Sequence, residues 1–549
     1  MATHPLRVAM SPAKPSADEI FANYVVVGGG SAGCVIASRL SEDPATSVLL
    51  LEEGGRDSSP YIHIPGAYYK TAQGDLLKRY QWESPPSHGR DAVQTMVQAS
   101  VLGGGSSVNA MIYIRGVPAD YDGWAASGAT GWSYDEVLPF FKRAEDNSRF
   151  CNEPHAVGGM IGVSDPEYIH PLSRVWLQAG QQAGLPFNPD FNSGTTVGCG
   201  VYQLNTRDGW RSSAAVAYLG RARGRGNLTI RTRARAIRIL FNGRRAIGVE
   251  FASRGRLLRA IAKREVILSA GAIISPKLLL LSGVGDPHSL QQHGLHVRHA
   301  LPGVGRNLQD HIEASLVYQL KNVDSYDKYK KPHWKAVAGL RYLLFRDGPA
   351  ASNLIETGAF WGGDSADSTP DIQYFFIPGA GIEEGVEGVP GGSGCTVNIG
   401  QIRPRSRGCV ALAGADPALP PKIAPNYFSE AYDLDRLVQG CQLAADIMGQ
   451  PAFKNYIARQ HTPGAAVSDT KAQTEYWRKH AHAALHPVGT CRMGQDDGAV
   501  VDPRLRVRGL EGLRVVDASV MPTVVSGNTN AACIMIGEKG AEMIRDDNR

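Results

Sequence analysis

The chain has 549 residues, which favours two or three domains over a single core, and its 43% hydrophobic and 20% charged residues are typical of a globular protein. A formal net charge of +5 is small for this length and does not indicate a nucleic-acid partner. The eight cysteines form no CxxC pair and no ligand spacing with histidine, which argues against a metal site and predicts free thiols in a reducing compartment.

The N-terminal segment MATHPLRVAMSPAKPSADEI has no apolar stretch of the kind found in secretory signals. The rest of the sequence also lacks an uninterrupted apolar run of about 18 residues, which a membrane-spanning helix needs. We therefore expect a cytoplasmic protein without a membrane span.

The first regular elements are predicted within FANYVVVGGGSAGCVIASRLSEDPATSVLLLEEGG, residues 21–55. The β-branched run Val25–Val27 predicts a buried strand, and the apolar positions between 35 and 40 predict one face of a helix. Val48–Leu51 predicts the next strand. This order of elements is typical of a βαβ unit.

Three spaced glycines stand where the first strand would turn into the helix. Gly28 would allow a tight turn, Gly30 would let the backbone approach a pyrophosphate, and Gly33 would let the helix pack closely. Glu52 follows the second strand, where its carboxylate could accept the hydroxyls of a ribose. The pattern predicts a dinucleotide site. A plain βαβ unit with glycines for packing alone stays the alternative, and nothing in this stretch separates FAD from NAD.

A basic stretch follows in the middle of the chain. Arg231, Arg233 and Arg235 alternate with small residues, and this period of two predicts that the three arginines share one solvated face of a strand. The stretch is therefore interpreted as surface rather than as a binding site.

Five further motifs make the chain resemble the glucose–methanol–choline family of FAD oxidoreductases. The motifs are VLGGGSSVNAMIYIRG (101–116), GAIISPKLLLLSGVG (271–285), PGVGRNLQDH (302–311), HPVGTCRMG (486–494) and GLRVVDASVMPTVVSGNTNAACIMIGEKGAEMI (512–544). They occur in the order that the family shows and extend over nearly the whole chain. The first is similar to the family's glycine and serine loop beneath the flavin, and the second to its second signature.

The resemblance implies an α/β protein with two domains. A discontinuous Rossmann-like FAD-binding domain is expected from residues 20–165, 215–317 and 481–549. An α+β substrate-binding domain with an antiparallel sheet is expected from residues 166–214 and 318–480. The aromatic residues of IQYFFIPG and GAFWGG could line the substrate pocket, although a core strand is the expected position of any single one of them.

The resemblance also implies which residues contact FAD. They are Gly28, Gly30, Ser31, Ala32, Gly33, Glu52, Leu102, Gly103, Gly104, Ser107, Asn109, Ala110, Met111, Ile112, Ala236, Asp517, Ala518, Thr529 and Asn530. LRVVDAS is expected to be a strand that ends at Asp517. Ser100 replaces a basic residue that the first signature usually carries. Val108 occupies the position at which members with covalent FAD have a histidine, so non-covalent FAD is expected.

Alcohol oxidation by a flavin needs a base for the hydroxyl proton while a hydride leaves the carbon. His486 resembles the family's catalytic histidine, and a neutral imidazole in this role is worth roughly 10²–10⁴-fold in rate. Asn528 aligns with the family's second catalytic position and would orient the substrate oxygen. His480 and His482, in the same neighbourhood, are not expected to act, and His311 is interpreted as structural.

The last predicted helix begins near Asn530. Thr529 and Asn530 are suited to cap it, and in the family its N-terminus points at the flavin. The positive end of the helix dipole would stabilise an anionic reduced flavin by roughly 0.3–2 kcal/mol.

The activity that the resemblance favours is oxidation of a primary alcohol to an aldehyde, with oxygen or another electron acceptor. A non-redox lyase of the same fold and a flavoprotein without turnover are the alternatives. Choline is disfavoured as substrate because the histidine of covalent members is replaced and no cage for a quaternary ammonium is evident. The particular alcohol, the acceptor and the oligomeric state stay open.

Overall fold

The structure is a computed structural model, and it describes residues 18–82, 94–363, 369–382, 386–390, 392–467 and 469–548. Most of the N-terminal segment MATHPLRVAMSPAKPSADEI lies outside these ranges. Among the helices that are described, none has the length and apolarity needed to cross a bilayer. All eight cysteines are free thiols, as predicted, and most of them are buried.

Helices and strands are numbered separately in chain order. The helices are α1 Ser31–Leu40, α2 Pro60–His63, α3 Tyr68–Gln73, α4 Pro118–Ala126, α5 Tyr134–Ala144, α6 Pro171–Gln182, α7 Gly271–Leu281, α8 Pro287–Gln292, α9 Pro332–Phe345, α10 Ala431–Gly449, α11 Thr470–His480 and α12 Asn530–Asp547. The strands are β1 Glu19–Val27, β2 Val48–Leu51, β3 Leu77–Trp82, β4 Gln94–Ala99, β5 Glu145–Asn147, β6 Ile161–Val163, β7 Gly198–Val201, β8 Thr206–Arg207, β9 Trp210–Arg211, β10 Leu228–Arg231, β11 Ala234–Asn242, β12 Arg245–Ser253, β13 Arg256–Leu268, β14 Val284–Gly285, β15 His299–Ala300, β16 Arg306–Leu308, β17 Ile312–Leu320, β18 Thr357–Trp361, β19 Ile372–Ile377, β20 Gly394–Gln401, β21 Gly408–Ala411, β22 Lys422–Ala424, β23 Ile457–Thr462, β24 His482–Ala483 and β25 Leu513–Val515.

The predicted βαβ unit is confirmed and forms the centre of a seven-stranded sheet. Strands β10, β2, β1, β13 and β25 run parallel in that order. Strand β12 pairs antiparallel with β13, and β11 pairs antiparallel with β12 at the edge of the sheet. Val25–Val27 and Val48–Leu51 are buried, because α1 and α12 pack together over one face. The parallel strands β1, β2, β13 and β25 end side by side, so the residues that follow them collect at one edge of the sheet.

A second seven-stranded sheet is antiparallel, as the resemblance implied. Its order is β23, β17, β20, β19, β18 and β7, and the short strand β24 also pairs with β17. Helices α6 and α10 pack on this sheet. The apolar core that they form with it is separate from the core of the first sheet. Strand β17 crosses the predicted domain boundary at residue 317, and the boundaries themselves stay a prediction.

The basic stretch differs from its predicted form. Arg231 is the last residue of β10, Arg233 has a left-handed φ of 55°, and Arg235 belongs to β11. The chain thus turns between two strands of the sheet instead of continuing in one, and the prediction of a shared strand face is wrong. The backbone N–H of Arg233 donates to the Gly54 carbonyl and that of Ala234 to the Glu52 carbonyl, which stabilises the turn.

Two boundaries near the C-terminus also differ. Strand β25 ends at Val515 rather than at Asp517, because the Asp517 side chain accepts from Ser519 N–H and begins a short 3₁₀ turn. Thr529 is the N-cap residue of α12 but makes no capping hydrogen bond. Asn530 is the first helical residue, so the expected capping by these two side chains is not seen.

Candidate active site

A cavity of about 450 Å³ lies at the carboxyl edge of the parallel strands and reaches to the antiparallel sheet. Most of the residues expected to contact FAD, and both expected catalytic residues, line it. They are Gly28, Gly30, Ser31, Ala32, Glu52, Gly104, Asn109, Ala110, Met111, Ile112, Ala236, His486, Asp517, Ala518, Asn528, Thr529 and Asn530. The cavity therefore unites motifs that are up to 500 residues apart in the chain.

Four of the residues expected to contact FAD do not line this cavity. A Cβ atom at Gly33 would lie 1.9 Å from the Gly28 carbonyl oxygen, so this glycine serves the packing of α1 on β1. Gly103 N–H donates to the Gly29 carbonyl, and Ser107 Oγ donates to the Leu102 carbonyl. These contacts hold Leu102, Gly103 and Ser107 behind the loop residues Gly104 and Gly105, which line the cavity, and give the three a supporting position.

Two helix N-termini meet at the cavity. Gly30 precedes α1 and Thr529 precedes α12, and neither helix start has a side-chain cap. Ser31 Oγ donates to Asn530 Oδ1 at 2.8 Å, which joins the two helix starts directly. Uncapped N–H groups and the positive ends of two helix dipoles form a good site for an anion such as a pyrophosphate.

Two glycines of the cavity wall leave open space in which a bound group could lie. A Cβ atom at Gly30 would have only the Ser269 carbonyl oxygen as a neighbour, at 3.8 Å, and one at Gly105 would have no neighbour within 4 Å. The protein's own packing therefore does not require glycine at either position. Both residues line the cavity. A side chain at either position would fill the space through which a ligand approaches the protein backbone.

Glu52 directly follows β2 and lines the cavity. Its two carboxylate oxygens accept from the backbone N–H groups of Gly29 and Gly54, each at 2.7 Å. Burial raises the pKa of this carboxyl, while the two hydrogen bonds oppose the shift. A carboxylate has about four acceptor positions, so Glu52 can accept further hydroxyl groups from the cavity side.

Asp517 is buried at the end of β25, where it organises the cavity wall. One oxygen accepts from Gly271 N–H and from Ser275 Oγ, and the other accepts from the N–H and Oγ of Ser519. Ala270, Gly271 and Ala518 line the cavity at this point. Asp517 thus connects β25 to the start of α7 and sets the position of the backbone around it.

His486 and Asn528 lie together at the other end of the cavity. Gln373 Nε2 donates to Asn528 Oδ1 at 3.2 Å, which directs the Asn528 amide nitrogen toward His486 Nε2 at 3.3 Å. An amide N–H donates and cannot accept, so His486 Nε2 carries a lone pair. Burial lowers the pKa of His486 to about 4, and the ring is therefore neutral near pH 7.

His311 is in direct contact with His486. The Nδ1 atoms of the two rings are 3.1 Å apart and the rings meet edge to face. Burial lowers the pKa of His311 well below its usual range, and the neighbouring His486 lowers it further. With its Nε2 unprotonated, the neutral His486 ring has its proton on Nδ1 and donates to His311 Nδ1. The structural interpretation of His311 thus left out a specific contact with the expected base.

The backbone before His486 is held in an unusual conformation. Leu485 has a φ of 66°, a left-handed conformation that costs a residue with a side chain roughly 1–3 kcal/mol. Asp310 is buried and accepts from His486 N–H at 2.6 Å and from the Tyr427 hydroxyl. Burial raises the pKa of Asp310 to about 7. The LQDH motif therefore fixes the main chain of the expected base through Asp310 and its side chain through His311.

The antiparallel sheet contributes cavity residues that were not expected at the site. Glu313 of β17, Asn398 of β20 and His482 of β24 line the cavity, and Ser315 Oγ is hydrogen-bonded to both Asn398 and His482. His482 pairs with Glu313 across the strands. An acid in the apolar strand IEASLVYQL was the one available signal, because the other two are ordinary polar residues in sequence.

The aromatic residues of β18 and β19 mostly belong to the core. Phe375 lines the cavity, whereas Phe360, Tyr374 and Phe376 are buried in apolar clusters. Within the described ranges, no group of three or more His, Cys, Asp or Glu residues could hold a metal ion.

Comparison with known proteins identifies the family. Models of the GMC oxidoreductase family match residues 22–313 and 404–537. The alcohol dehydrogenase (acceptor) of Pseudomonas putida is 39% identical over 526 residues, which cover 95% of each protein. The mitochondrial choline dehydrogenase of Homo sapiens is 40% identical over 552 residues. The similar region covers 98% of this chain and 92% of that protein.

A solved structure gives the same result in three dimensions. Pyridoxine 4-oxidase from Mesorbium loti superposes with a TM-score of 0.86 at 31% identity, over 95% of this chain and 98% of that protein. The family models together match more than half of the chain, and the relatives are similar over nearly its whole length. The protein belongs to the glucose–methanol–choline (GMC) family of oxidoreductases.

Proposed function

We propose that this GMC oxidoreductase uses non-covalent FAD to oxidise a primary alcohol to an aldehyde, with His486 as the general base. The observation that carries the proposal is the contact, at the end of the cavity, between the Asn528 amide nitrogen and Nε2 of His486, a buried imidazole whose pKa burial lowers to about 4. The relatives support it, since one is named an alcohol dehydrogenase and another a choline dehydrogenase.

The residues of the cavity suit FAD as the cofactor. The starts of α1 and α12 would bind the pyrophosphate, and Glu52 would accept the ribose hydroxyls. Bound FAD supplies a flavin that can accept a hydride from the alcohol carbon. Val108 lines the cavity and its side chain has no nucleophilic atom, which supports non-covalent binding.

His486 would remove the hydroxyl proton of the substrate. The substrate oxygen would take a position beside Nε2, where the Asn528 amide can donate to it and the imidazole can accept its proton. Proton transfer produces an imidazolium, whose Nδ1–H still donates to His311 Nδ1. Because His311 resists protonation, the proton taken from the alcohol stays on His486.

The proposal is tested by replacing His486 with alanine. H486A is expected to fold and to bind FAD, and to lose flavin reduction by the substrate by at least about a hundredfold. The loss follows because the imidazole that would take the hydroxyl proton is removed. Anaerobic mixing with a panel of primary alcohols, followed by the absorbance of the oxidised flavin, measures the rate. H288A, which changes an exposed histidine of α8, is the control.

The outcomes separate the remaining functions. Near-normal flavin reduction in H486A would contradict the role of His486. Flavin absorbance that does not change in the parent enzyme with any alcohol would favour the non-redox lyase or a flavoprotein without turnover. Comparing peroxide formation with dye reduction for the same alcohol then distinguishes oxygen from another acceptor.

A further inference from the structure

Helix α9 is apolar and yet almost entirely exposed. Of its fourteen residues, PHWKAVAGLRYLLF, only Ala338 and Tyr342 are buried. Six of the fourteen large apolar side chains that the described residues expose belong to this helix: Trp334, Val337, Leu340, Leu343, Leu344 and Phe345. Contiguous exposed apolar surface of this kind marks an interaction site.

The exposed side chains form a stripe that faces away from the protein. Leu340 follows Val337 by three residues and Leu344 follows it by seven, so the three side chains share one side of the helix. Ala338 and Tyr342 are on the opposite side, where the Tyr342 hydroxyl donates to the Gly209 carbonyl at 2.8 Å. Leu344 is 64% exposed and the adjacent Phe345 is 71% exposed. The helix is thus fixed by its inner side and presents Leu and Val outward.

The segment around the helix is basic, with Lys328, Lys330 and Arg341 paired to Asp324, Asp327 and Asp347. Residues 328–346 contain six Lys and Arg residues and no Asp or Glu. Lys331 and Lys335 are exposed at the start of the helix, and Lys328 Nζ is 4.0 Å from the centre of the Trp334 ring. Arg341, on the flank of the stripe, is exposed and pairs with Asp347 just beyond this segment. By their spacing, Lys331 and Lys335 share the side of Ala338 and Tyr342, across the helix from the apolar stripe. An apolar side opposite a basic side is typical of helices that lie in the interface of an anionic membrane.

The length of α9 excludes a membrane span. Fourteen residues rise about 21 Å, whereas the hydrocarbon core of a bilayer is about 30 Å thick. A groove on a second copy of the chain could also receive a projecting helix, and the test below includes that outcome. The positive charge selects an anionic surface over a neutral one.

We propose that α9 docks this enzyme on the surface of a membrane that contains anionic lipids. Leu340, Leu344 and Phe345 would enter the boundary between headgroups and acyl chains, and Lys331 and Lys335 would contact lipid phosphates.

Docking through α9 would also bring the active-site cavity close to the lipid. Lys330 Nζ donates to the Ala380 carbonyl at 2.6 Å, and Ile382 of the same loop lines the cavity. On the other side of the helix, Ile355 lines the cavity ten residues after Phe345. An apolar alcohol or a lipid-dissolved electron acceptor could then reach the cavity from the membrane.

Vesicle co-sedimentation of the FAD-loaded full-length enzyme tests the proposal. Binding is expected to vesicles of phosphatidylcholine with phosphatidylglycerol, to be weaker with phosphatidylcholine alone, and to fall with added salt. L340E/L344E should abolish it, and K331E/K335E should weaken it at least about tenfold. L257E is the matched control, because Leu257 is 57% exposed on β13. All variants should reduce their flavin normally with a water-soluble alcohol.

Three results would overturn the proposal. Equal binding of L340E/L344E and the parent enzyme would show that α9 is not the contact surface. Equal loss of binding in L257E would show that any added acid acts through net charge. A dimer in sedimentation equilibrium that L340E/L344E converts to a monomer, without vesicle binding by the parent, would assign the helix to a contact between two copies of the chain.

Discussion

The side-chain amide of Asn528 determines which nitrogen of His486 is free to accept a proton. Its oxygen is held by Gln373, so its nitrogen must donate toward the imidazole. Under the proposed function, the contact would place a donor, rather than a second base, beside the substrate oxygen. Asn528 is therefore a positioning residue for His486, and its orientation depends on Gln373 in the antiparallel sheet.

Replacing Asn528 with aspartate should change the pH dependence of the reaction. A carboxylate at this position would stabilise the imidazolium and raise the pKa of His486 above about 4. Since only the neutral ring can accept the proton, flavin reduction in N528D should be lost at a higher pH than in the parent enzyme as the pH falls. Rapid-mixing measurements of flavin reduction across the pH range give the comparison.

The control for N528D is N152D, which introduces the same charge at an exposed position. N152D should leave the pH profile unchanged. An N528D profile that coincides with that of the parent enzyme would mean that the carboxylate does not act on His486, and would contradict the contact between the two side chains.

At the start of α1, two glycines three residues apart have different requirements. Gly30 is extended, with φ of −75° and ψ of −167°, a conformation open to any residue, and its missing side chain leaves room in the cavity. Gly33 has no such room, because the Gly28 carbonyl lies where its Cβ would be. One glycine of the motif therefore leaves space in the cavity, and the other serves the packing of helix on strand.

Valine at these two positions should separate the two roles. G30V is expected to fold but to contain little or no FAD, because the isopropyl group occupies the cavity beside the helix start. G33V should instead lose roughly 3 kcal/mol or more of stability through overpacking. The flavin-to-protein absorbance ratio and the thermal midpoint of the apoprotein measure the two effects. G226V, at an exposed glycine with no neighbour within 4 Å, is the control. Full FAD content in G30V would contradict the assignment.

The elements with local signals were predictable, and those that depend on tertiary contacts were not. β1, α1 and β2 follow from a β-branched run, spaced glycines and an apolar helix face. The arginine stretch failed because a period of two cannot show the turn at Arg233, which depends on backbone contacts with Gly54 and Glu52. The capping expected of Thr529 failed because the start of α12 faces the cavity.

Across the whole molecule, the cavity lies between a parallel sheet and an antiparallel one. The parallel sheet provides the positions that follow β1, β2, β13 and β25, which a known motif can identify. The antiparallel sheet provides Glu313, Asn398 and His482 from three strands distant in sequence. No spacing rule connects these three, so the cofactor side of the site could be predicted and the wall opposite could not.

The buried histidines couple the stability of the whole protein to pH. Burial lowers the pKa of both His170 and His486 to about 4, compared with 6.5 for an exposed histidine. Between these two values the unfolded chain binds protons that the folded chain does not, so stability falls as the pH falls from 6.5 to 4. Each such histidine lowers the free energy of unfolding by about 3 kcal/mol at pH 4. Asp310, with a pKa raised to about 7, acts in the opposite direction over this range.

Because several groups titrate together, a variant at one of them is needed to show its share. His170 is the N-cap residue of α6, where Nδ1 accepts from Leu172 N–H at 3.2 Å, and an asparagine can make the same contact without titrating. H170N should therefore lose less of its thermal midpoint than the parent enzyme between pH 6.5 and 4, whatever its midpoint at pH 7. H288N, at an exposed histidine, should follow the parent. Parallel curves for H170N and the parent enzyme would show that His170 is protonated equally in the folded and unfolded states, and that its burial does not limit stability in acid.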